Sequence, residues 1–200
     1  MTQSYADLSC STFLGPRAKI VYEWFLKSLC LPGDIAECGV FTGETSRELV
    51  RYLDENSVGK TLHMFDTFEG LPDLFTAEER ENATGDGLSR GNFFCPLPDV
   101  LRRMGPSRRF RAHKGLFSET FAGFVEDLCF IHADADLYQS TVEIIGLAER
   151  CLVPGGHIVF DDYRNSDFPG VTWAIDHHLS ADRYIIRPLA ESIQCCVTKR

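Results

Sequence analysis

The sequence predicts an α/β fold, a mostly parallel sheet with helices packed on both faces. Three observations predict it. Short apolar runs of strand length alternate with segments whose apolar residues recur at helical spacing. Five carboxylates, Glu37, Asp66, Asp134, Asp161 and Asp162, punctuate the ends of those runs. The 200 residues, 44% of them hydrophobic, suffice for one domain spanning 1–200 with a sizeable core.

Residues 1–30 read as a helical lead-in, with Lys19–Cys30 (KIVYEWFLKSLC) carrying the helical pattern and Leu31, Pro32 and Gly33 ending it. Asp34–Cys38 is a first strand, followed by a glycine-containing loop and a helix over Thr45–Leu53. Thr61–Phe65 is a second strand, closed by Asp66. The stretch from Leu71 to Pro98 is rich in Gly, Pro, Asp and Asn and reads as irregular, a lid or substrate loop over 71–98. Phe110–His113 and Leu128–Ala133 are the next two strands. A helix over Ser140–Cys151 is broken by Pro154-Gly155-Gly156 before a fifth strand, His157–Phe160. Gly170–Leu179 reads as helical, and Tyr184–Ile186 with Ile193–Val197 as a closing antiparallel pair. Ligands gather at the carboxyl ends of the strands in such sheets, which is where the five acids fall.

Composition excludes several roles. The net charge of -9 disfavours a nucleic-acid backbone as partner; the arginines at 102, 103, 108, 109 and 111 read as a solvated face or, alternatively, as a contact for an anionic part of a substrate. No apolar stretch is long enough to span a bilayer, and Met1–Cys10 lacks the order of a secretory signal. A cytoplasmic chain with no membrane partner is expected. The eight cysteines include no CxxC pair, so reduced, mostly buried thiols are expected rather than disulfides or structural zinc.

Four motifs carry the chemistry. In Glu37-Cys38-Gly39-Val40-Phe41-Thr42-Gly43-Glu44-Thr45, the two glycines permit a tight turn and a close backbone approach to a ligand, although the spacing also suits an ordinary strand-to-helix turn. Asp66, in FDTFEGLP, ends the second strand, where a carboxylate can accept hydrogen bonds from a ribose diol; a turn-forming Asp is the plain alternative. Asp134, in HADADLY, and Asp161-Asp162, in FDDY, end neighbouring strands. Such carboxylates are costly unless paired or metal-bound, and three hard oxygen ligands suit magnesium or a similar divalent ion; a helix-capping or turn aspartate pair is the plain alternative. Asp136 is either a supporting carboxylate or a cap for the following helix. Lys114–Thr120 (KGLFSET) either walls an adenine or starts a helix. The histidines show no metal spacing; His177 or His178 could assist deprotonation.

The strings PGDIAECGVFTGETS, FDTFEGLP, GLFSET, HADADLYQSTVEI, PGGHIVFDDY and PGVTWAIDHHL resemble the macrocin O-methyltransferase (TylF-like) family, over about Leu29 to Val197. The resemblance implies a class I methyltransferase (Rossmann-like) fold with seven strands and a final antiparallel strand, and methyl transfer from S-adenosylmethionine to a hydroxyl of a sugar or glycosylated small molecule with the help of Mg2+. It implies that Glu37, Gly39 and Thr45 line the methionine part of the cofactor and Asp66 holds its ribose. Phe41, Thr42, Gly43, Thr67, Ser118 and Asp134 complete the expected cofactor site. Asp134, Asp161 and Asp162 would hold the metal, with Asp134 also accepting the proton. A homodimer is expected, as in several members. Catechol-type O-methyltransferases place a lysine three residues after the first metal aspartate; Leu137 stands here, which disfavours a phenolic acceptor. A metal-dependent glycosyltransferase, using a DxD motif, and an inactive cofactor-binding scaffold are the rival readings.

Overall fold

The computed structural model describes residues 15–85, 87–189 and 192–200. Helix α1 (Pro16–Ser28) opens with proline at its first turn, where the missing N–H costs nothing. It leads into β1 (Asp34–Cys38), α2 (Glu44–Glu55), β2 (Leu62–Asp66), α3 (Ala77–Asn82) and α4 (Leu97–Met104). Then follow β3 (Phe110–Lys114), α5 (Phe117–Thr120), β4 (Leu128–Ala133), α6 (Tyr138–Cys151), β5 (Leu152–Phe160), α7 (Pro169–His178), β6 (Tyr184–Pro188) and β7 (Cys195–Lys199).

The seven strands of the described residues form one sheet in the order β3-β2-β1-β4-β5-β7-β6. The first five are mutually parallel, and β7 inserts antiparallel between β5 and β6. The order reverses direction between β1 and β4, the switch point at which a crevice opens in sheets of this kind. Cys38 pairs with Phe65 on one side and Ala133 on the other, and Ala133 pairs with Phe160. The strand ends are therefore level, and the acids that follow them converge on one rim.

The helices cover both faces because their apolar residues repeat at helical spacing. In α2, Ser46, Leu49, Val50 and Leu53 are the buried positions. With Phe25 of α1 and Val100 and Met104 of α4 they build the core on one face, while Phe117, Phe121, Ile144, Ile145 and Ile175 build the other. Phe25 meets Phe130 edge-on at 6.1 Å; burying such a ring contributes about 1.5–3 kcal/mol. No helix among the described residues is long and apolar enough to cross a membrane.

Two sequence expectations change. The 71–98 stretch is not wholly irregular: it holds α3 and the start of α4. Thr76 caps α3 through a reciprocal pair with Glu79, a local bonding pattern that stabilises a short helix. The glycine pair after α6 does not interrupt the chain before the fifth strand, since β5 already begins at Leu152, opposite Leu128. The register then jumps to Phe130 opposite His157, so Val153–Gly156 is absorbed as an irregularity inside the strand.

Candidate functional site

Where β1 ends, Gly39 adopts φ 86°, and a Cβ there would lie 1.8 Å from the carbonyl oxygen of Asp134. Only glycine permits both the backbone and the approach. Asp134 N–H in turn donates to Cys38 O at 2.8 Å, so the loop after β1 and the loop after β4 are closed on each other. Phe41 continues the first loop at φ 46°, and Gly43, at φ 80°, stands immediately before α2.

Asp66 organises this loop from the next strand. Its Oδ2 accepts the N–H groups of Val40 (2.6 Å) and Phe41 (3.1 Å), and its Oδ1 accepts Phe68 N–H (2.7 Å). Thr67 Oγ1 donates to Gly70 O at 2.7 Å. Arg103 donates to Thr42 O at 3.2 Å, giving one member of the basic cluster a bracing role; Arg102 pairs with Asp99 on the surface.

A cleft of about 520 Å3 brings most of the expected residues together: Glu37, Gly39, Phe41, Thr42, Thr45, Asp66, Thr67, Asp134 and Asp162 all line it, with Asp136 and, from the 71–98 segment, Leu71, Leu74 and Phe93. Gly43 and Asp161 are not on the lining. Ser118 is exposed on α5 and also lies off the wall, which is formed there by Gly115, Leu116 and Phe117. His177 and His178 are not brought to the cleft; His178 pairs instead with the hydroxyl of Tyr138 at 2.9 Å.

The acidic rim is crowded. Carboxylate oxygens of Asp134, Asp136 and Asp162 lie within 4.8 Å of one another, and Asp134 and Asp161 form a second such group with a ring nitrogen of His132. Burial, reinforced by Asp161 and Asp162, pushes the Asp134 carboxyl up to about 8. Burial likewise raises Asp136 and Asp162. At Asp161 burial works in the same direction, but His132 and Arg17 outweigh it and hold its carboxyl below the usual range. Asp136 and Asp162 both have φ near the left-handed region, at 62° and 58°, a strained backbone for non-glycine residues that persists where the surroundings impose it.

Two residues of the site were not singled out in the sequence. Arg17, in the first turn of α1, bonds Asp161 Oδ2 at 2.8 Å and Asp162 Oδ1 at 3.4 Å. His132 is buried in β4, with Nδ1 3.0 Å from Glu37 Oε1. Its Nε2 faces Asp161 Oδ2 at 3.9 Å, beyond hydrogen-bond reach, and has no hydrogen-bond partner among the described residues. Burial alone would lower its pKa, but Asp161 and Glu37 raise it to about 10. Glu37 is completed by Ser46, whose hydroxyl donates to Oε2. The signal for His132 was its place in an otherwise apolar strand, two residues before Asp134.

Comparison with known proteins adds the following. The sequence model of the macrocin-O-methyltransferase (TylF) family matches residues 26–200. The chain is 31% identical over 144 residues to the 8-demethyl-8-(2,3-dimethoxy-alpha-L-rhamnosyl)-tetracenomycin-C 4'-O-methyltransferase of Streptomyces olivaceus, covering 66% of this chain and 54% of that protein. It is 28% identical over 148 residues to the mycinamicin III 3''-O-methyltransferase of Micromonospora griseorubida, covering 66% and 56%. The chain thus spans about half the length of the curated relatives it matches. Among solved structures, the O-methyltransferase NovP superimposes with a TM-score of 0.79 at 20% identity over 92% of this chain and 79% of that one. The calicheamicin methyltransferase CalS11 does so with 0.77 at 21% over 91% and 77%. These likenesses establish the class I methyltransferase fold.

Proposed function

The chain belongs to the macrocin-O-methyltransferase (TylF) family, and from that premise we propose that it moves the methyl group of S-adenosylmethionine to a hydroxyl of a sugar or glycosylated small molecule. The observation that carries this reading is the closure of Gly39 on the main chain of Asp134, which puts the glycine-bearing loop and the carboxylates on one cleft. The relatives' names support the acceptor, since the tetracenomycin enzyme is named for a rhamnosyl compound.

S-adenosylmethionine supplies an electrophilic methyl carbon on a sulfonium. The residues present fit it. Gly39 lets the main chain come close, Thr42 and Thr45 line the cleft at the start of α2, and Asp66 fixes the loop through Val40 and Phe41. Glu37 supports this loop from within through Ser46 and His132. A sugar hydroxyl is a weak nucleophile at neutral pH, so it must be held in line with the methyl and relieved of its proton. Asp134, which lines the cleft beside Asp136 and Asp162, is placed to accept that proton.

A divalent cation such as Mg2+ is the second part of the proposal. The donor types suit a hard ion: Asp134 stands with Asp136 and Asp162 in one cluster of carboxylate oxygens and with Asp161 and His132 in the other, and a cation would relieve the repulsion of such crowded carboxylates; Asp134, Asp161 and Asp162 would hold it. When bound, such an ion acidifies and orients the acceptor hydroxyl. The expected homodimer and a cytoplasmic location complete the reading.

Thermal melting with S-adenosylhomocysteine, with and without Mg2+, tests both parts. The product analogue should raise the melting temperature alone, and Mg2+ should raise it further. Absence of any response to the analogue sinks the methyltransferase reading. Asp161→Asn should keep analogue binding while losing metal-dependent turnover; full turnover of that variant in chelator would sink the metal part alone.

A further inference from the structure

We propose that Glu79 is a positioning residue that locks the 71–98 segment and the loop bearing Asp134 and Asp136 into one unit. Glu79 is 0% exposed although it sits on a helix of only six residues within a loop-rich stretch. Carboxylates are almost never this buried unless every oxygen is partnered. One partner is local: Oε2 accepts Thr76 N–H at 2.8 Å, and Glu79 N–H donates back to Thr76 Oγ1 at 3.1 Å. The other is remote: Oε1 accepts Tyr138 N–H at 2.7 Å.

Tyr138 is the first residue of α6 and follows Asp136 by two positions. A carboxylate there satisfies one of the free amides of the helix start and lies at the positive end of the helix dipole. Gly170, in the first turn of α7, closes the other side, since a Cβ on it would lie 2.2 Å from Glu79 Oε1. The carboxylate therefore sits where α3, α6 and α7 meet. Beyond it, the segment is fastened to the loop that follows Asp162. Thr84 N–H donates to Ser166 O at 3.1 Å, Thr84 Oγ1 donates to Asp167 Oδ1 at 2.6 Å, and a Cβ on Gly87 would press on Phe168 at 2.7 Å.

The bond that seats the cover is thus also a constraint on the strained loop of Asp136, at φ 62°. The cover supplies Leu71, Leu74 and Phe93 to the cleft that Asp134 and Asp136 also line. This buried side chain ties the segment directly to the loop that carries Asp134 and Asp136. Its bearing on the acceptor rests on the methyltransferase reading above; the linkage itself does not.

Residue-resolved amide hydrogen exchange on the ligand-free chain tests it, comparing the native sequence with Glu79→Ala, Glu79→Gln and Thr76→Ala. Glu79→Ala should accelerate exchange about tenfold or more both within 77–93 and at the Tyr138 amide, leaving β1 and β4 protected. Thr76→Ala should loosen α3 while Tyr138 stays protected. Glu79→Gln keeps one carbonyl oxygen, so it should restore protection at Tyr138 and leave the Thr76 amide fast. Acceleration confined to α3 in Glu79→Ala, or a Gln variant no better than the Ala variant at Tyr138, overturns the proposal. Should Glu79→Ala not fold, Glu79→Gln decides: Tyr138 slow with Thr76 fast upholds the linkage, and any other pattern overturns it. A melting shift with S-adenosylhomocysteine, measured on the native chain, separates this outcome from the fate of the methyltransferase reading.

Discussion

His132 Nδ1 lies 3.0 Å from Glu37 Oε1, with both side chains buried. The pair joins adjacent strands at the level where the cleft opens, and it links two sets of residues. Glu37 holds Ser46 at the start of α2, and the far side of the His132 ring faces Asp161. The glycine-bearing loop and the acidic rim thus share one imidazole, whose pKa the flanking carboxylates raise against the effect of burial.

His132→Ala is expected to be severely destabilising, because it leaves Glu37 buried and facing a void. Breaking a buried ion pair from one side costs about 3–5 kcal/mol. His132→Gln, which can still donate to Glu37, should recover part of that loss. Urea unfolding at neutral pH measures both. A cost under about 1 kcal/mol for the alanine variant would show that the pair does not hold the strand ends together.

Gly39→Ala should separate the two loops that define the cleft. The new Cβ meets Asp134 O at 1.8 Å, and alanine disfavours φ 86°. Backbone strain of this kind costs about 1–3 kcal/mol, and the collision adds to it. The variant should melt lower and bind S-adenosylhomocysteine at least about tenfold more weakly, since about 1.4 kcal/mol of misfit at the site suffices for that. Isothermal titration of the analogue checks it. Native affinity would mean that the contact does not shape the cofactor site.

The parts legible in the sequence were those with a strong period or a sharp end. β2 was legible because Thr61–Phe65 is apolar and stops at Asp66; β4 and β5 likewise stop at Asp134 and Asp161. The adjacency of those two strands followed from a single helix between them. α3 was missed because six residues cannot display a helical period, although Thr76 and Glu79 already stood at capping-box spacing. Arg17 was missed for another reason. Its salt bridge to Asp161 spans 144 residues of sequence, and no local pattern marks a partner so distant. Asp66 was read as a ligand for ribose; that its oxygens also hold the amides of Val40 and Phe41 depends on how two loops fold over each other.

Asp134→Asn should stabilise the ligand-free chain while removing its response to metal. Asp134 stands within 4.8 Å of carboxylates on Asp136 and Asp162, and of Asp161 in the second group. Burial and the neighbouring aspartates make an ionisable carboxyl costly at this position, and replacing it with a neutral amide is expected to yield about 0.5–2 kcal/mol, the exchange of stability for function seen at strained sites. Urea unfolding in chelator reads the gain, and Mn2+ titration by electron paramagnetic resonance reads the loss. A variant that binds Mn2+ as the native chain does would remove Asp134 from the metal site.

Acid should destabilise the chain through a pair of histidines remote from the cleft. His63 Nδ1 lies 3.1 Å from His113 Nε2, and His63 Nε2 lies 3.3 Å from Asp34 Oδ2. Burial lowers the pKa of both rings. Asp34 and Glu126 oppose this at His63 without reversing it, while His63 and Arg111 push His113 further down. At pH 8 both rings are neutral, folded or unfolded, and their titration contributes nothing to stability. Below about pH 6.5, the ordinary histidine value, the unfolded chain binds protons that the folded chain refuses, so stability falls as pH falls, down towards the depressed folded values. Unfolding free energies measured in urea should therefore drop between about pH 7 and about pH 5, and His63→Gln should flatten part of that slope. An unchanged slope in the variant would assign the acid sensitivity to other groups.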